Sequence, residues 1–266
     1  MMERKYRHDA TITKVDHLDE DNVFLTLNAP ELSELSKPGQ FVELETSQFL
    51  NRPFGVAICD KKAGTVGIGV RKVGKGTKEI FEYKAGDKAT LFGPFGYGFS
   101  ISEKTSRAYV IGGGTGIYPL LFLLQELKRA GIKTYTGCGF QSLTHALMID
   151  DFSHISDDYL TACEIGEADV SGTAVDALAE LYERHGQSDG TIVYACGPIP
   201  MLKAVNAWCE ENGIDAECSF EARMGCGFGV CRGCAIPVIR DGQPTYDRCC
   251  VEGPVFRRGV VDWEGL

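Results

Sequence analysis

Near the C-terminus three cysteines stand at a spacing that suits little besides metal: Cys226, Cys231 and Cys234 are separated by four and then two residues. This is the C-x₄-C-x₂-C spacing of plant-type [2Fe–2S] loops, which take a fourth thiolate from further along the chain. Cys249 and Cys250 both follow, and distance along the chain from Cys234 does not choose between them. Four thiolates must surround a cluster whose sulfurs also accept backbone N–H groups, so the loop has to turn its amides inward. Gly225, Gly227, Gly229 and Gly233 allow this, because glycine takes positive φ without steric penalty. A structural zinc site also uses four cysteines, but zinc ribbons usually pair two C-x₂-C knuckles rather than building one C-x₄-C-x₂-C loop.

Six further cysteines, Cys59, Cys138, Cys163, Cys196, Cys209 and Cys218, are scattered and read as small buried hydrophobes. Crowding of the other five into one short window points to metal rather than disulfides in an intracellular chain. From Glu217 onward the sequence is rich in Gly and Cys with only short β-like pieces. Such a segment is expected to need a metal centre to hold it together.

The rest is ordinary globular sequence, 44% hydrophobic and 24% charged over 266 residues, enough for two domains and a small appendage. Apolar and polar residues alternate at 11–15 and 23–27, and further strands are expected at 40–44, 54–58, 66–70 and 89–92. Turn residues separate them, so residues 1–102 are predicted to form an antiparallel β-barrel with one short helix at 78–83. After Ser102 the pattern changes. Strands at 107–111, 133–140 and 191–195 alternate with helices at 118–129, 175–185 and 200–212, which predicts an α/β domain with a parallel sheet over 103–215. Residues 216–266 form the third, cysteine-bearing module. The acidic pairs Asp150-Asp151 and Asp157-Asp158 read as a solvated loop without a role.

A formal net charge of −10, with no cluster of Lys and Arg, excludes the usual nucleic-acid and anionic-membrane binders. The longest strongly apolar run, residues 117–124, contains Pro119 and stops at Gln125, well short of the roughly 20 residues that span a bilayer. The polar stretch 1–9 lacks the apolar segment of a secretory signal, so export is not expected.

Four short motifs suggest ligands. In Arg52-Pro53-Phe54-Gly55, at the entry of a barrel strand, the Arg can pair with a pyrophosphate while Pro and Phe border a flat ring. Gly74-Lys75-Gly76-Thr77 opens a short helix whose free N–H groups suit phosphate. Either alone is more often a plain turn. Gly112-Gly113-Gly114-Thr115-Gly116 follows a strand and opens a helix, the setting of a dinucleotide site, although the spacing departs from G-x-G-x-x-G. Cys196-Gly197-Pro198 ends a later strand of the same sheet, at the edge where open α/β sheets bind ligands. Cys196 itself reads equally well as a packing residue or a nicotinamide contact. Gln141-Ser142-Leu143-Thr144-His145 lacks the Arg or Lys that would hold a 2′-phosphate, which favours NAD over NADP.

A barrel with R-P-F-G, a sheet with G-G-G-T-G and C-G-P, and a terminal cysteine loop together resemble the ferredoxin–NADP reductase superfamily across the whole chain. The run Met224–Cys234, with Cys250-Val251-Glu252-Gly253-Pro254-Val255-Phe256 after it, is similar to the electron-transfer subunits of NAD-dependent dihydroorotate dehydrogenases. The resemblance implies FAD in the barrel, NAD on the sheet, and one [2Fe–2S] cluster. It selects Cys250 over Cys249 as the fourth ligand beside Cys226, Cys231 and Cys234. It carries over Arg52, Pro53, Phe54, Gly55, Gly69, Val70, Arg71, Gly76 and Thr77 as FAD contacts, with one departure: the family usually has Ser or Thr where Gly55 stands. It further implies a cytoplasmic protein in pyrimidine biosynthesis, working with an FMN-containing catalytic subunit in a heterotetramer. Rival readings are the small subunit of a related NADH-dependent ferredoxin–NADP or sulfide oxidoreductase, and a regulatory domain that binds nucleotide and zinc without redox chemistry.

Overall fold

The computed structural model describes residues 6–266; the first five residues of the polar N-terminal stretch lie outside them. Seven strands form the first sheet: β1 (Arg7–His17), β2 (Asn22–Asn28), β3 (Phe41–Leu44), β4 (Arg52–Gly55), β5 (Ile58–Asp60), β6 (Thr65–Arg71) and β7 (Lys88–Phe95). All pair antiparallel, in the order β4-β3-β7-β1-β2-β6-β5. The two edge strands are consecutive in the chain. Between them the Val56 N–H donates to Gln40 O at 3.0 Å and the Ala57 N–H to Gly67 O at 2.8 Å, so one bent segment joins both edges and the sheet rolls around a core that includes Ile12, Leu25, Leu27, Leu44 and Ile68.

Two short helices accompany this sheet, α1 (Pro30–Leu35) and α2 (Lys75–Phe81). The first was not expected, since six residues opened by Pro carry too little apolar period to read. The second starts three residues before the expected 78. The Val73 and Gly74 N–H groups donate to Thr77 Oγ1 at 2.9 and 3.0 Å, so the Thr hydroxyl fastens the turn that leads into the helix.

The second sheet has the order β11-β10-β9-β8-β12-β13-β16, from β8 (Arg107–Gly113), β9 (Lys133–Phe140), β10 (Asp158–Cys163), β11 (Val170–Ser171), β12 (Thr191–Cys196), β13 (Asp215–Ser219) and β16 (Val255–Arg257). The sheet is mixed rather than parallel: β16 runs antiparallel to β13. It reaches the edge directly from the cysteine module, without the crossover a parallel neighbour needs, and it shields the β13 edge. Helices α3 (Ile117–Arg129), α5 (Ala174–His185) and α6 (Ile199–Glu211) pack against the sheet, and α4 (Ile149–Ile155) follows β9. Buried residues lie almost all round α3, from Ile117 and Tyr118 to Leu127, because it is enclosed between the sheet and Phe24 and Ala57 of the first domain.

The acidic pairs correct the sequence reading. Asp150 and Asp151 open α4, where the positive helix end favours carboxylates. Asp157 takes Lys133 Nζ at 2.7 Å and the Thr134 N–H at 2.9 Å. Asp158 opens β10 and faces His185 Nε2 at 2.7 Å.

In the last third, β14 (Ala235–Arg240) and β15 (Gln243–Arg248) form a hairpin. Its turn residues Asp241 and Gly242 have φ of 51° and 74°, the left-handed pair that two-residue hairpins require. This module shares a core with the second sheet: Cys234, Ile236, Val238, Cys249 and Phe256 pack with Val193, Ala195 and Phe220. Metal is therefore not its only support. Among the described residues, no helix is long and apolar enough to cross a membrane.

Candidate functional site

The chain between β13 and β14 carries Cys226, Cys231 and Cys234, and Cys250 follows β15. Cys234 Sγ lies 3.2 Å from Cys250 Sγ, and both are buried. Backbone amides turn toward the sulfurs. Cys226 Sγ accepts from the Val230 and Cys231 N–H groups at 3.3 and 3.4 Å, Cys231 Sγ from the Gly233 N–H at 3.4 Å, and Cys234 Sγ from the Cys250 N–H at 3.5 Å. Gly227, Gly229 and Arg232 take φ of 69°, 93° and 57° to make this possible. Cys226 is half-buried and Cys231 exposed. Cys249 points elsewhere: it is fully buried and its thiol donates to Phe220 O at 3.3 Å.

Slight burial raises the Cys226 thiol, but the amides of Cys231, Phe228 and Val230 outweigh it and hold the group at about 7. Burial, and then the Cys234 thiol, push Cys250 up to about 12. Thiolate ligands must lose their protons to metal, and the amide-lined Cys226 end of the loop does so most readily. Among the described residues no three Cys, His, Asp or Glu side chains are placed to hold one metal ion. Fit to an iron–sulfur cluster rests on the four sulfur donors and the inward amides.

Two supports of this loop escaped the sequence reading. Arg248 Nη1 donates to Gly229 O at 2.8 Å while its guanidinium pairs with Glu252, tying the loop to the Cys250 segment; the i,i+4 charge pair was the signal available. Glu43 of β3 is buried, its carboxyl raised by that burial. Its Oε1 lies where a Cβ on Gly227 would go. Nothing in the sequence marks Glu43. A cleft of about 930 Å³, lined among others by Glu43, Asn51, Phe95, Tyr97, Cys226 and Cys250, joins the rolled sheet to the cysteine loop.

On the rolled sheet, Arg52, Pro53, Phe54 and Gly55 make up β4. Arg52 Nη1 donates to Leu50 O at 2.8 Å and Asn51 O at 3.1 Å. Arg52 Nε is 2.5 Å from the place of a Cβ on Gly76, so the start of β4 and the start of α2 converge. The Thr77 hydroxyl is engaged with the preceding turn, as described. Gly69, Val70 and Arg71 end β6; Val70 is buried and Arg71 exposed. Gly55 and Gly69 both back onto the start of α3, against Pro119 and Tyr118.

On the second sheet, Gly112 and Gly113 end β8, and Gly112 pairs in register with Cys196 of the adjacent parallel β12. Gly114, Thr115 and Gly116 form a single 3₁₀ turn before α3. Cβ atoms on Gly113 and Gly116 would lie 3.1 Å from Pro198 Cδ and 2.6 Å from Gly197 Cα respectively, so the two glycine turns touch. The C-terminal edges of adjacent parallel strands are where such sheets bind ligands. Cys196 is 2% exposed, and burial raises its thiol. The segment 141–145 carries no Lys or Arg; Ser142 Oγ and Thr144 Oγ1 instead close on His145 Nδ1 at 2.8 and 3.3 Å.

Comparison with known proteins agrees with this layout. Residues 221–262 match the iron–sulfur cluster binding domain of dihydroorotate dehydrogenase B, and residues 110–207 match the oxidoreductase NAD-binding domain. The dihydroorotate dehydrogenase B (NAD(+)) electron transfer subunit of Desulforamulus reducens is 32% identical over 261 residues, covering 96% of this chain and 98% of the relative. That of Caldanaerobacter subterraneus is 37% identical over 221 residues, 82% and 84% of the two chains. Among solved structures, a chain of the NADH-dependent reduced ferredoxin–NADP oxidoreductase superposes with a TM-score of 0.85 at 31% identity, over 97% of this chain and 91% of that one. A ferredoxin NADP+ reductase from Neisseria gonorrhoeae, at 17% identity and a TM-score of 0.65 over 79% and 93% of the chains, shares the fold. With a third of its residues shared with such relatives over nearly its whole length, and with residues 221–262 matching the iron–sulfur cluster binding domain, the chain belongs to the family of dihydroorotate dehydrogenase B electron transfer subunits.

Proposed function

We propose that this chain passes electrons between an FMN-containing, dihydroorotate-oxidising catalytic subunit and NAD, through one [2Fe–2S] cluster and one FAD, in pyrimidine biosynthesis. The observation that carries the reading is the meeting of Cys234 and Cys250 sulfurs under inward amides, at a cleft that opens onto the rolled sheet. Cys226, Cys231, Cys234 and Cys250 would hold the cluster, with Cys249 left as a packing residue. When bound, the flavin would exchange one hydride, a pair of electrons, with NAD and single electrons with the cluster, which neither of those can do for the other. Amides donating to the sulfurs stabilise the added negative charge.

Arg52 would pair with the FAD pyrophosphate beside Gly76 and Thr77, with Pro53, Phe54, Gly55, Gly69, Val70 and Arg71 completing the flavin surface. Gly112, Gly113, Gly114, Thr115 and Gly116 would cradle the NAD pyrophosphate, with Cys196, Gly197 and Pro198 forming the far wall. The division into modules 1–102, 103–215 and 216–266 is part of the proposal, the last stitched to the second sheet by β13 and β16. So are a cytoplasmic location and a heterotetramer of two subunit pairs.

Mixing the purified chain with a dihydroorotate-oxidising FMN subunit should give NADH formation coupled to orotate. Absence of coupling sinks the partner assignment. A second reading, a small subunit serving a different partner, is favoured by the likeness to the NADH-dependent reduced ferredoxin–NADP oxidoreductase chain; it predicts NADH-reducible flavin without that coupling.

A further inference from the structure

Gly55 and Gly69 are assigned above to the flavin surface, yet neither has a left-handed backbone. Any residue could adopt their φ, so room is what they supply. A Cβ on Gly69 would fall into the Tyr118 ring, against Cγ and both Cδ atoms, and a Cβ on Gly55 would lie 2.9 Å from Cβ and 3.2 Å from Cγ of Pro119. Tyr118 and Pro119 are consecutive residues in the first turn of α3. Neither has a flexible end that could yield.

The helix cannot easily retreat. Tyr118 is 3% exposed, its ring centroid 6.2 Å from that of Phe24. Its hydroxyl faces Asn22 Oδ1 at 3.5 Å, while the Asn22 amide nitrogen is held by both carboxylate oxygens of Asp19 at 3.0 and 2.8 Å. On the other side Gly116 is pressed against β12, since its Cβ would lie 2.6 Å from Cys196 O and Gly197 Cα. Residues 116–119 are thus clasped between two surfaces, the sheet edge assigned to NAD and the strands assigned to FAD.

We propose that Gly55 and Gly69 are sockets for Pro119 and Tyr118, and that this clasp fixes the distance and angle between the nicotinamide and the flavin. The role rests on the FAD and NAD assignments above. Hydride passing from NADH to flavin, which leaves NAD+ and takes one proton from solvent, requires the donor and acceptor atoms in near contact, and a displacement of about 1 Å at a remote position can cost ~100-fold in rate. The sockets also account for glycine at position 55, where the family usually has Ser or Thr: Pro119 occupies the space of a side chain.

The test is a double-variant cycle on the full chain with residues 69 and 118. Gly69→Ala should slow NADH reduction of the bound flavin by ~10- to 100-fold, measured on the FAD-bound fraction, while iron content and reduction of that flavin by dithionite stay at wild-type values. It should also lower the melting temperature of the FAD-free chain. Adding Tyr118→Ala removes the ring atoms that the new methyl meets, so the double variant should be less impaired than the sum of the singles in both measurements. Gly55→Ala should act in the same direction and more weakly. Wild-type hydride transfer in the FAD-bound Gly69→Ala chain, or simple additivity with Tyr118→Ala, overturns the proposal. If wild-type flavin is not reduced by NADH at all, the functional reading fails and the positioning role with it, whereas coupling between 69 and 118 in the FAD-free chain still reports whether the socket exists.

Discussion

In the cysteine loop Gly227 and Gly229 sit at φ of 69° and 93°, and glycine is there for the backbone it permits. At the start of α3, Gly55, Gly69 and Gly116 have ordinary φ, and glycine is there for the atoms it lacks. The first kind shapes a local cradle in which amides point at sulfur. The second lets two large bodies approach until a helix is gripped from both sides. Damage to the loop should therefore stay local and cost the cluster, while damage to the clasp should spread to both domains and spare the cluster.

The largest expected effect is at the loop. Cys231→Ser or Cys250→Ser should abolish bound iron and sulfide while FAD stays bound, and Cys249→Ser should keep both, as iron analysis and the visible spectrum would show. Loss of iron from Cys249→Ser but not Cys250→Ser would reverse the ligand choice. Next comes the clasp. Gly116→Ala places a methyl against Cys196 O, and such overpacking costs about 1–3 kcal/mol. A lower melting temperature with full iron content is the expected outcome; a cluster lost in parallel would blur the contrast.

Gly227→Ala should cost about 1–2 kcal/mol for a left-handed residue, with further crowding from Glu43. It should quicken removal of iron by chelator and leave FAD affinity unchanged. Outside both regions, Asp158 offers a smaller, pH-dependent effect. Burial raises its carboxyl, but the His185 hydrogen bond, the Tyr159 amide and Arg184 outweigh that and leave it below the ordinary value. A depressed folded pKa gives stability that is present above the unfolded value and lost as pH falls through the folded one. Asp158→Asn should thus destabilise at pH 7, with the gap to wild type closing below about pH 4. A gap that persists in acid would mean the hydrogen bonds, not the charge, do the stabilising.

The loop was legible because chemistry imposes its spacing: Cys226, Cys231 and Cys234 must lie on one short turn, and inward amides require glycine. The helix α3 and the strands around it were equally plain from their apolar runs. The clasp was not, because a glycine that makes room looks in sequence like any other, and its partners Tyr118 and Pro119 lie 49 and 64 residues away along the chain. The strand β10 was not read at all, because it opens behind Asp157 and Asp158, whose partners Lys133, Thr134 and His185 come from other elements. The antiparallel β16 was hidden because three residues carry no readable period. Spacing alone left Cys249 and Cys250 open and the family resemblance selected Cys250; in the fold one sulfur faces Phe220 O and the other Cys234.

The most direct test of the account is the metal content and spectrum of the chain purified without oxygen. It predicts about two iron and two sulfide per chain beside one FAD, with visible absorbance that bleaches on adding NADH. A colourless protein carrying stoichiometric zinc, or one with neither iron nor sulfide, would contradict it.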